Sequence, residues 1–102
     1  MKINETVKEV YLNAVNKGLW DDKDEKQRER FNFYMWLQSE VTEAAIEGIG
    51  LNEEKEKEEL ADIFIMICSK FGREGWDLEK AVRVKMDLNK TRPYKHGKDK
   101  LN

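Results

Sequence analysis

Apolar residues recur every three or four positions in four stretches of the chain. That is the spacing of one helical face, and no stretch alternates as a strand would. In the first stretch Ile3, Val7, Val10, Tyr11, Ala14 and Val15 share a side, with Asn4 as the expected cap and Gly18 as the expected stop. The second stretch predicts a helix over about 27–47, with Phe31, Tyr34, Leu37, Val41, Ala44 and Ala45 on one broad face and Gly48 and Gly50 ending it. Asn52 is placed to cap a third helix, with Glu53 and Glu54 in its acid-favouring first turn, running to about residue 71. Gly72 and Gly75 then turn the chain, Trp76 lies just outside, and Asp77 caps a fourth helix that ends before Pro93. Residues 21–29 are charged and read as a loop or a fraying first turn. The prediction is an all-α, four-helix bundle-like subunit: one domain over 1–92, followed by an irregular basic tail over 93–102.

Within the third stretch, residues 63–68 are apolar at every angular position, where a surface helix would keep a polar stripe. A chain this short has few helices with which to surround such a segment. The expectation is burial on one side by its own bundle and on the other by a second subunit, giving a dimer or a dimer-of-dimers tetramer. The competing arrangement is a central helix in a monomeric bundle. The same run is far too short to span a bilayer. Charged residues make up 39% of the 102 positions, yet the net charge is only −2, which argues against bulk electrostatic binding of nucleic acid. The single cysteine, Cys68, excludes an internal disulfide and lies in the apolar run, where an inert buried thiol is expected. With no apolar core of a signal peptide near the start, these features lead to a cytoplasmic assignment.

The candidate chemistry is acidic. Glu40 and Glu43 stand three apart on the second helix, and Glu59 and Asp62 three apart on the third, so each pair projects from one side. Glu47 extends the first pair by one turn. Spacing alone does not mark a site, because Glu53/Glu56 and Glu56/Glu59 share it. What distinguishes Glu40, Glu43 and Asp62 is their apolar surroundings, unlike the exposed "NEEKEKE". Asp62 stands where the chain turns apolar, and a carboxylate buried there would need a partner or a metal. If the two helices pack antiparallel, four carboxylates meet around one small volume. Their mutual repulsion is relieved by a hard divalent cation such as Mg²⁺, with Mn²⁺ the other candidate.

Leu37-x-x-Glu40-Val41-x-Glu43, then Glu59-Leu60-Ala61-Asp62, then "GWDLEKAVRVKMDLNKTR" resemble the MazG-like nucleotide pyrophosphohydrolases of the all-α nucleoside triphosphate pyrophosphatase superfamily, over about residues 33–98. The resemblance implies Mg²⁺-dependent hydrolysis of (d)NTPs between the α and β phosphates, giving a nucleoside monophosphate and pyrophosphate, as in nucleotide-pool house-cleaning. It implies metal ligands at Glu40, Glu43, Glu59 and Asp62, and phosphate-binding groups at Lys85 and Asn89, with Arg92 in the basic position that follows. It also implies assembly as dimers or tetramers, and a role in base choice for the first thirty residues, where the match is weaker.

The residues support parts of this separately. Lys85 and Asn89 are four apart and share a helical face, with Arg92 one turn further. Such a face suits a triphosphate opposite a carboxylate–metal cluster. One carboxylate, Glu43 in preference to Glu40, is the candidate base for an attacking water. Tyr94 and Lys95, with His96 and Lys98, are candidates for a flap over the phosphates. Of the aromatic residues Trp20, Phe33, Trp36 and Trp76, Trp36 is the one expected to stack on a base, one turn before Glu40. The alternative from another class is a helical oligomerisation or interaction module with a vestigial acidic metal site. The completeness of the set, four carboxylates with Lys85 and Asn89, favours the enzyme.

Overall fold

A computed structural model describes residues 2–20 and 26–93, and its elements are all helical: α1 (Ile3–Asn16), α2 (Lys26–Ile49), α3 (Glu53–Glu74) and α4 (Leu78–Lys90). The four pack as a bundle in which α3 is central, flanked by α1 and α2, while α4 packs chiefly on α1. The candidate flap residues Tyr94, Lys95, His96 and Lys98 lie outside the described residues, as does most of the tail.

Local chemistry explains where the helices begin and end. The Asn52 side chain accepts from the Lys55 N–H at the start of α3, and the Asp77 side chain accepts from the Lys80 N–H at the start of α4. Asn4 does not cap α1, which starts after Lys2 without a side-chain cap. It ties α1 to α4 instead. Its Nδ2 donates to Asp77 Oδ1 at 2.9 Å, its Oδ1 accepts from the Glu79 N–H at 3.1 Å, and its own N–H donates to Glu79 Oε1 at 2.9 Å. The Asn4 bond, followed by the Lys80 N–H, holds the Asp77 carboxyl below its ordinary value.

Gly18 and Gly75 adopt left-handed conformations (φ 78° and 71°) after α1 and α3, as glycine permits without strain. After α3, the Trp76 N–H bonds back to the Phe71 carbonyl, and the two rings meet edge-on at 5.5 Å, the apolar contact that accompanies this kind of stop. Helix α3 therefore runs three residues past the expected end, through Gly72. Helix α2 continues through Gly48, and the left-handed position falls on Leu51 (φ 59°) rather than on either nearby glycine. The Leu51 and Asn52 N–H groups bond back to the carbonyls of Gly48 and Glu47.

Helices α2 and α3 form an antiparallel hairpin. Glu29 and Arg30 lie opposite Arg73 and Glu74, Glu43 opposite Glu59, and Gly48 opposite Glu56. Helix α1 runs back along the second half of α3. Gly72 sits against Tyr11, where a Cβ would lie 2.8 Å from the Tyr11 Cγ, and the Trp20 indole N–H donates to Ser69 Oγ at 2.9 Å.

The core is small. Val7, Cys68 and Leu78 form its centre, with Ile3, Val10, Ile67, Phe71 and Val82 packed around them. Cys68 is fully buried, and burial pushes its thiol up, so it is the inert thiol expected. Among the described side chains of α2 the buried ones are Ala44, which belongs to the face read from the pattern, and Phe33, which does not. Phe31, Tyr34 and Val41 are exposed because only one narrow strip of α2 meets α3. Phe33 is a core residue, not a free stacking surface. One internal charge was not anticipated: Lys70, 3% exposed, donates to Glu74 at 3.3 Å and lies over the Phe33 and Trp76 rings. Arg30 shares that carboxylate and Arg73 pairs with Glu29, so the start of α2 is fixed to the end of α3 by charge.

Candidate functional site

The hairpin register places the middle of α2 against the first half of α3, where both acidic pairs lie. One carboxylate oxygen from each of Glu40, Glu43 and Glu59 comes within 4.8 Å of the others. Glu40 and Glu59 are half-buried and Glu43 is exposed. Three anions this close repel. Repulsion from Glu40, some loss of hydration and repulsion from Glu59, together with the hydrogen bonds that a protonated Glu43 donates to both neighbours, push the Glu43 carboxyl above its ordinary 4.5. The donor set, all carboxylate oxygen, fits a hard divalent cation and carries the negative charge that such an ion would balance.

Asp62 does not join the three at that distance. It is exposed, so in the single chain it is not the buried acid that its apolar neighbours suggested. One turn beyond Glu59, it faces an open groove of about 900 Å³ between α1 and α2, floored by α3. Trp36 and Glu40 line the groove from α2, Asp62, Ile65, Met66 and Ser69 from α3, and Glu9, Asn13 and Lys17 from α1. Trp36 thus lies where its spacing from Glu40 implied, beside the carboxylates and partly exposed. Trp20 is held on Ser69 at the groove's edge, and Trp76 caps the end of α3. Glu47 is half-buried and outside the cluster.

Lys85, Asn89 and Arg92 are exposed in the last turns of α4 and just beyond it. Among the described residues, the groove beside the carboxylates is lined by α1, α2 and α3 and by none from α4. The structure thus leaves Lys85, Asn89 and Arg92 off the wall of the groove that Glu40 and Asp62 line. The groove wall on α1 was not anticipated. Glu9, Asn13 and Lys17 recur every four residues, but a polar stripe of that kind is what any solvated helix face shows.

Comparison of the chain with protein-family models, with curated proteins and with solved structures returns no match. The resemblance to the MazG-like enzymes accordingly rests on the motif residues themselves. Among the described residues no helix is long and apolar enough to cross a membrane.

Proposed function

We propose that the chain is a MazG-like, Mg²⁺-dependent nucleoside triphosphate pyrophosphohydrolase that cleaves (d)NTPs between the α and β phosphates. The observation that carries this reading is the meeting of Glu40, Glu43 and Glu59, from two separately spaced acidic motifs, within 4.8 Å across the α2–α3 hairpin. These three would hold the cation, with Asp62 completing the set from the groove side. A divalent ion bound there supplies neutralising charge and lowers the pKa of a bound water.

The chain's own groups account for the remaining steps. Glu43, the exposed member of the three, is the carboxylate assigned to accept the proton of the attacking water as that water's oxygen bonds to the α-phosphorus. The bond from the α-phosphorus to the bridging oxygen breaks, pyrophosphate leaves, and the nucleoside monophosphate remains. Lys85, Asn89 and Arg92 offset charge on the leaving pyrophosphate. Because α4 contributes nothing to the groove of its own chain, a second copy is the natural source of these groups. A homodimer or dimer-of-dimers tetramer is part of the proposal.

The interaction-module alternative draws on the apolar surface left exposed along α3 and α4. One assay separates the two: pyrophosphate release from a panel of NTPs and dNTPs, with Mg²⁺ and with a chelator. The enzyme predicts release that needs the metal. No release from any triphosphate in the presence of Mg²⁺ or Mn²⁺ would return the chain to the interaction module.

A further inference from the structure

Apolar packing alone does not fix the register of α2 against α3. A slide of α2 by four residues, about 6 Å along its axis, would put Leu37 in the place of Phe33, Gly48 in the place of Ala44 and Glu47 in the place of Glu43. Each of these exchanges keeps the apolar, small or acidic character of the position. At the Glu40 position the slide would bring Ala44. The charges at the open end of the hairpin do discriminate, because they are directional. Arg73 Nε donates to Glu29 at 2.9 Å, Arg30 Nη2 to Glu74 at 3.3 Å and Lys70 Nζ to Glu74 at 3.3 Å. The Lys70 and Glu74 side chains are only 4% and 6% exposed, and that of Glu29 12%. Enclosing these groups costs hydration, and Arg30 Nε is enclosed with no acceptor among the described residues. Such an arrangement is a poor source of stability and suits the selection of one register. The slide would separate Glu29 from Arg73 and Glu74 from Arg30.

We propose that Glu29, Arg30, Lys70, Arg73 and Glu74 are positioning residues, which select the hairpin register in which Glu40 and Glu43 both meet Glu59. The consequence for metal rests on the proposed reading of that cluster, whereas the register does not. In the selected register Glu47 stays outside the cluster, and Glu40 lines the groove beside Asp62. In the slid register Glu47 would face Glu59, Ala44 would stand beside Asp62, and one carboxylate would be lost from the set. The lock acts at a distance through the rigid helices: Glu43 lies thirteen residues from Arg30 on α2, about 20 Å along the axis. Lys70 takes part by holding Glu74 in place from within α3, while its ammonium lies over the Phe33 ring of α2 at 5.5 Å.

The test reads the register without metal and then the cluster with Mn²⁺. Spin labels on Thr42→Cys and Lys57→Cys, exposed positions of α2 and α3, report the distance between the helices, with the native Cys68 buried. Glu29→Leu/Lys70→Met/Glu74→Leu removes the enclosed charges together and leaves Arg30 and Arg73, 44% and 36% exposed, able to reach water. The wild-type chain should give one distance. The triple variant should give a second one displaced by up to about 6 Å, with a urea midpoint no lower than that of the wild type. The milder Arg30→Met leaves Lys70 on Glu74 and Arg73 on Glu29, and should show the same second distance in smaller share. Mn²⁺ binding, followed by the spin resonance of the free ion, should weaken on the order of ten-fold in the triple variant for the loss of one anionic ligand. Glu47→Gln should weaken it further there and have little effect in the wild-type chain. A single, undisplaced distance in the folded variants overturns the proposal whatever the metal does. If both variants unfold, the charges hold the fold and not the register, and the proposal also falls. A displaced distance in a chain that binds no Mn²⁺ even as wild type upholds the register and refutes the metal site.

Discussion

Glu43 connects stability to chemistry most directly. Its carboxyl is pushed above 4.5 in the fold, chiefly by Glu40, so the folded chain holds this proton more tightly than the unfolded chain does. The associated stability is complete below the unfolded value and is lost as pH rises through the raised folded value. Without metal, Glu43→Gln should flatten that slope and make the chain more stable at neutral pH. With Mg²⁺ the same variant should lose turnover, because an anionic ligand and the candidate base are both gone. Urea midpoints in a chelating buffer, taken from about pH 4 to about pH 8, read the first effect. Identical slopes for the two proteins would show that the three carboxylates do not meet. Glu40, Glu43 and Glu59 were legible in the sequence because residues three apart must share a side of a helix. The place of Asp62 was not, because that spacing puts Asp62 on the side of Glu59 without fixing how near its carboxylate comes to the α2 pair. Lys70 was equally illegible. A Lys–Glu pair four apart reads as a solvated face until Phe33 and Trp76 close over it.

At the level of elements, the tightest constraint is the crossing of α1 over α3. A Cβ at Gly72 would overlap the Tyr11 Cβ. Because both atoms are bonded directly to backbone, no rotamer change relieves the overlap, and one helix must shift. Overpacking of this kind costs about 1–3 kcal/mol, whereas alanine in place of glycine within a helix returns about 1 kcal/mol. Gly72→Ala should therefore lower stability, and Tyr11→Ala, which keeps the Cβ, should not rescue it. Chemical denaturation of the single and double variants checks this, and a Gly72→Ala chain at least as stable as the wild type would mean that α1 does not cross here. The sequence showed that Gly72 lay near the end of α3 but assigned it to the turn. Its role is close approach, and only the packing partner reveals that. The caps at Asn52 and Asp77 were legible because each acts within three residues. Asn4 was misread because its partners lie more than seventy residues away in sequence. The inner strip of α2 was read only in part, at Ala44, for a related reason: Phe31, Tyr34 and Val41 are as apolar as Phe33, and only the position of α3 separates them.

For the whole molecule, the question is what covers the apolar surface that one chain leaves open. A compact globule of this length has a radius of gyration of about 13 Å, whereas this chain measures 16.4 Å. Its helices are laid side by side more than wrapped around a centre. On α3, Met66 and Cys68 are buried, while Leu60, Phe64 and Ile65 on other sides are about half exposed. On α4, Val84, Met86 and Leu88 are similarly open, and Leu51 at the hairpin tip is 87% exposed in a left-handed conformation unusual for its side chain. Fully covering one such aliphatic or aromatic side chain contributes about 1.5–3 kcal/mol, so half-covered residues on two facing copies supply a substantial drive to pair. A second copy would cover the outer side of α3, the side that the all-round apolar run 63–68 leaves open, and could bring a partner's α4 to the carboxylates. Light scattering at micromolar concentration should then report a dimer or tetramer. Phe64→Glu, which puts a charge into that surface, should yield monomer or loss of fold. The milder Phe64→Ala distinguishes the two by weakening assembly while keeping the helical circular-dichroism signal. A wild-type chain that stays monomeric and cooperatively folded under these conditions would show that the open face of α3 needs no partner.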